Sequence, residues 1–157
     1  MAMNKDESGK VPMAAVALGA SGLVLPAVAI VARLTAGTPP DTPLPAFLML
    51  MAFMSASLIL SFLGGIWWGV AIGRGADGFG GLLALAIAPT VVALAIAALS
   101  GWFPKAGAVA LGVAIVATLA VDRGLQKRGL VPAWWLRLRA PLSLALGMMT
   151  AAMALLM

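Results

Sequence analysis

Long apolar runs with almost no charge, separated by short polar interruptions, fill the chain from residue 11 onward. There are five, at about residues 11–33, 46–73, 81–100, 104–121 and 141–157. Each approaches or exceeds the length of roughly 20 residues that a helix needs to cross a bilayer core about 30 Å thick. The interruptions carry turn chemistry. Pro39, Pro40, Pro43 and Pro45 predict an extended loop, because proline lacks the backbone donor a helix needs. Asp77 among the glycines of residues 74–80 predicts a tight turn, and residues 101–105 predict another. Pro141 is expected to open the last span, in the first turn where its missing N–H does no harm. Pro26 and Pro89 fall inside the first and third runs and predict kinks, each freeing a carbonyl that a neighbour must satisfy.

Composition agrees with this pattern. Of the 157 residues, 63% are hydrophobic and 10% charged. So few polar groups could not cover a soluble domain of this size. The expected fold is an all-α polytopic membrane helical bundle, with residues 1–10 as a short polar cytoplasmic tail and 11–157 as one membrane domain. The first run is longer than a signal-peptide core and no clear cleavage site follows it, so it is expected to stay as the first span.

Charge sets the orientation. Lys5, Lys10, Arg74, Arg123, Lys127, Arg128, Arg137 and Arg139 fall on the side of the N-terminal tail, whereas Arg33 and Lys105 fall on the other. The side richer in Lys and Arg faces the cytoplasm. The N-terminus is therefore expected inside and the C-terminus outside. This use of the net charge of +5 leaves no need for a nucleic-acid partner.

The chain has no His and no Cys, which removes the usual ligand sets for zinc, haem and iron–sulfur clusters, and thiol redox chemistry with them. The spans hold Ser and Thr without a His, Lys or carboxylate to activate them. No catalytic, cofactor-binding or metal site is expected, and the chain is read as a non-enzyme.

Four groups of residues invite a role. Ser57, Ser61, Gly65, Gly69 and Gly73 recur every four residues and form a small-residue seam, suited to close packing of another helix within the chain or from outside it. Trp67, Trp68, Trp102, Trp134 and Trp135 are expected as interfacial anchors, since amphipathic rings favour the headgroup level. Asp122 is expected to pair with Arg123 at a span boundary. Arg128, Arg137 and Arg139, interleaved with apolar residues in the basic loop 122–140, are expected to contact anionic lipid headgroups.

The motifs Ser61-Phe-Leu-Gly-Gly-Ile-Trp-Trp-Gly69 and Leu130-Val-Pro-Ala-Trp-Trp-Leu-Arg-Leu-Arg139 together resemble an uncharacterised domain-of-unknown-function membrane family, one that includes mitochondrial transmembrane protein 69 and many proteobacterial proteins. The resemblance runs from Gly22-Leu-Val-Leu-Pro26 through Asp122 to Pro141-Leu-Ser143. That family commonly carries His where this chain has Trp67, so no His-dependent role transfers. The resemblance implies a bacterial inner membrane and supplies no activity. The expected function is that of an accessory or assembly partner acting through helix packing, with a small carrier or channel, as a homo-oligomer, for the alternative.

Overall fold

A computed structural model describes residues 10–36, 42–73 and 79–157 of the chain. It is all-helical over those residues: α1 (Met13–Ser21), α2 (Val24–Thr35), α3 (Leu44–Ile72), α4 (Phe79–Ser100), α5 (Pro104–Lys127) and α6 (Trp135–Ala152), closed by a 3-10 turn at Met153–Leu155. Together α1 and α2 form the first of five helical segments long and apolar enough to cross a membrane. Most of the tail, the centre of the proline loop and the turn at 74–78 lie outside the described residues.

The first segment is broken at Gly22–Leu23 rather than merely kinked. Pro26 explains the place. It cannot donate to the carbonyl of Gly22, four residues earlier, and its ring crowds that carbonyl. The chain turns there through Gly22 N–H to Gly19 O at 3.3 Å and Leu23 N–H to Ala20 O at 3.0 Å. Pro89, by contrast, sits within an unbroken α4.

Two boundaries differ from expectation, and both matter. Helix α5 runs on past Asp122 to Lys127, which places that carboxylate inside the helix instead of at its end. Helix α6 begins at Trp135, so Pro141 lies within it instead of opening it. The turn between them is made by Gly129, whose φ of 66° suits a residue without Cβ. Its N–H reaches Gln126 O at 3.0 Å while Leu130 N–H reaches Leu125 O at 3.0 Å, the paired bonds of a Schellman cap. The Gln126 amide then donates to Ala133 O at 3.0 Å and pins the descending loop. Helix α6 consequently returns along α5.

The core is small-residue packing. Gly112 of α5 and Gly147 of α6 face each other so closely that a methyl on either would meet the backbone of the other. Gly64 does the same for α3, where a methyl would collide with the carbonyl of Ala86 on α4, near Pro89. Around these contacts Ala29, Ala52, Ala56, Leu60, Leu111, Ile115 and Met153 are essentially inaccessible. Outward-facing Leu58, Leu94 and Val113 are exposed, as expected of a surface solvated by lipid tails rather than water.

Candidate functional site

Periodicity brings the few polar side chains inward. On α5, Leu111, Ile115, Thr118 and Asp122 recur at helical spacing on the buried face, and on α6 Arg139, Ser143, Leu146 and Thr150 do the same. On α3, Leu60, Leu63, Trp67 and Ala71 share one buried stripe. The three stripes meet at the end of the bundle where α1 begins and α6 starts.

There Asp122 is fully buried and both of its oxygens are engaged. Trp67 Nε1–H donates to Oδ1 at 3.0 Å, and Arg139 Nε–H donates to Oδ2 at 3.1 Å. Arg139 also donates through Nη2 to Thr118 Oγ1 at 3.2 Å, and Thr118 donates its own hydroxyl proton to Ile115 O at 2.6 Å. The guanidinium lies 6.0 Å from the centre of the Trp135 ring, within cation–π range, and Trp135 packs tilted against Trp134. Charge in hydrocarbon is costly unless paired. Here the pair is neutral and hydrogen-bonded on both sides.

This arrangement corrects three expectations. Asp122 pairs with Arg139, not with its neighbour Arg123, which is turned outward and exposed. Residues adjacent on a helix point about 100° apart, so the two cannot share one face. Arg139 is 8% exposed and tied to Asp122 and Thr118 inside the bundle, so it does not project to the bilayer surface, whereas Arg128 and Arg137 are exposed. Trp67 is 3% exposed and serves as a buried donor instead of an anchor. Trp68 and Trp102 are exposed, and Trp134 and Trp135 are half-buried.

The small-residue seam divides. Four residues turn a helix by about 400°, so a stripe spaced by four drifts about 40° at each step. Its first half lies beside α4: Ser61 Oγ is 2.8 Å from Thr90 Oγ1, while Ser57 donates to Phe53 O at 3.0 Å. Its second half has rotated away. A Cβ on Gly65 or Gly69 would meet nothing within 4 Å, and Gly73 touches only backbone of its own helix end. The glycine that packs within the chain is Gly64, one position off the seam.

No group of three or more metal-ligating side chains occurs among the described residues. Asp122 is the only acidic residue among them, and both of its oxygens are bonded.

Residues 11–155 match a family described as a protein of unknown function, DUF3429. No curated protein and no solved structure matches the chain.

Proposed function

This multi-pass membrane protein belongs to the family of unknown function DUF3429, and we propose that it is a non-enzymatic accessory or assembly partner that grips another transmembrane helix along α3. The observation that carries the proposal is the open state of Gly65 and Gly69. Natural helices leave glycine outward in lipid at a cost in helix propensity, and the common return is close approach of a second backbone. Large apolar neighbours, Leu58, Phe62 and Ile72, flank the stripe and would form the walls of such a contact. The concentration of Lys and Arg beside the α5–α6 turn supports a cytoplasmic N-terminus, and the family resemblance supports a bacterial inner membrane.

Of the alternatives, an ion-coupled carrier would draw on Asp122, the only acidic residue among the described residues. Trp67 and Arg139 already occupy that carboxylate, which favours the packing role. The test is a Gly65→Ile, Gly69→Ile double variant of the full chain purified from its own membrane in mild detergent. Loss of a co-purifying protein or of a homodimer, with the melting temperature kept, is the expected result. An unchanged set of associated proteins, or a wild-type chain that is monomeric and alone, overturns the proposal.

A further inference from the structure

Between α1, α3 and α6 lies a cavity of about 530 Å³. That size falls within the range of about 300–1,000 Å³ common for small-molecule sites. Its walls are almost wholly apolar, built from Leu23, Ile59, Ile115 and Leu146 among others, and its mouth passes the exposed side chains of Leu18 and Phe62. The cavity therefore opens sideways, toward lipid. Its polar lining is confined to α6, where Trp135, Arg139 and Ser143 follow one another down one face.

Two of those groups are buried donors without partners. Trp135 Nε1 and Ser143 Oγ make no hydrogen bond among the described residues, although Ser143 is only 1% exposed. Elsewhere in this bundle, Ser57, Ser100, Thr118 and Thr150 each donate to a carbonyl of the preceding turn, the ordinary way to satisfy a hydroxyl inside a membrane helix. Ser143 does not. An unmet buried polar group is expensive in hydrocarbon, and a group of that kind facing a cavity is suited to a bound partner.

The geometry points to a bound anionic glycerophospholipid, with one acyl chain in the cavity, its phosphate oxygens accepting from Trp135 and Arg139 at the top of the wall and an acyl-ester carbonyl accepting from Ser143 two turns below. Three features select this occupant. The polar lining offers N–H and O–H donors, while the one nearby acceptor, Asp122, is already used. The exposed cations Arg123, Lys127, Arg128 and Arg137 stand at the same end of the bundle, where anionic headgroups gather. From Trp135 to Leu146 the α6 wall descends about 16 Å, at about 1.5 Å per residue, so a head at Trp135 places its tail at hydrocarbon depth. This inference rests on the unpartnered donors and is independent of any contact at Gly65 and Gly69.

The test uses the full chain in mild detergent, titrated with dioleoylphosphatidylglycerol or dioleoylphosphatidylcholine and read by native mass spectrometry. One phosphatidylglycerol per chain is expected to bind saturably, at least about tenfold tighter than phosphatidylcholine. Ser143→Ala and Trp135→Phe should each weaken it by about tenfold, the loss of one buried hydrogen bond. Ser143→Ala should not lower the melting temperature of the lipid-free protein, since the Ser143 hydroxyl makes no hydrogen bond within it. Ala15→Trp, which fills the cavity from α1, should abolish the bound lipid. Equal retention of the two lipids, wild-type affinity in both donor variants, a lowered lipid-free melting temperature in Ser143→Ala, or a second copy of the chain displacing the lipid would each overturn the assignment.

Discussion

Trp67 and Asp122 are 55 positions apart in the chain, and the indole N–H of one donates to the carboxylate of the other at 3.0 Å. Arg139 closes the other side of that carboxylate from α6, so three helices are tied at one point. The ties satisfy each other's polar atoms, which is why a formal charge pair can persist at the edge of a hydrocarbon layer.

Removing one partner leaves a buried charge alone. Asp122→Leu or Arg139→Met should each destabilise the folded protein by about 3–5 kcal/mol, and the double substitution Asp122→Leu, Arg139→Met should recover most of that loss. Thermal unfolding of the three variants in one detergent checks the cycle. Additive losses would contradict a direct pair.

Trp67→Phe keeps the ring but removes the donor, and should cost about 1–3 kcal/mol through the unpaired Oδ1 of Asp122. Trp68→Phe, on the exposed side of the same turn, should stay within about 0.5 kcal/mol of wild type. Denaturant titration followed by circular dichroism distinguishes them.

Adjacent glycines in α3 should behave oppositely. A methyl at Gly64 runs into the carbonyl of Ala86 and must push α4 away. Gly64→Ala should therefore destabilise by about 1–3 kcal/mol. Gly65→Ala meets open space and should leave the isolated chain as stable as before or slightly more so, through better helix propensity. Melting temperatures of the two variants, compared in the same detergent, decide the matter.

Gly112→Ala and Gly147→Ala should each loosen the α5–α6 contact by a similar amount. Because the two residues share one close approach, the pair should cost less than the sum of its singles. A double-mutant comparison of unfolding checks this.

The number, order and approximate extent of the five spans are legible in the sequence because a lipid solvent demands about 20 apolar residues whatever their neighbours. The polar cluster is also visible in part. Asp122 stands seven residues after Ile115 and eleven after Leu111, in phase with the buried face, and Trp67 stands in phase with Leu60 and Leu63. Reading Trp67 and Trp68 as one anchoring pair conceals this, since neighbours on a helix point about 100° apart and one of them can turn into the bundle while the other faces out. The partner of Asp122 is hidden for another reason. Only the Schellman turn at Gly129 fixes where α6 returns against α5, and a turn of that kind sets a register that no periodicity within either helix contains. The outward rotation of Gly65 and Gly69 likewise depends on where α4 leaves α3, which the stripe alone does not state.

The central claim, that α3 presents a seat for another helix, is tested most directly by photo-crosslinking in native membranes. A photoreactive residue is placed in turn at Gly65, Gly69, Leu94 and Val113, the last two being exposed positions on α4 and α5. A discrete protein adduct from positions 65 and 69 but not from 94 and 113 is the predicted result. Lipid adducts alone at all four positions would contradict it.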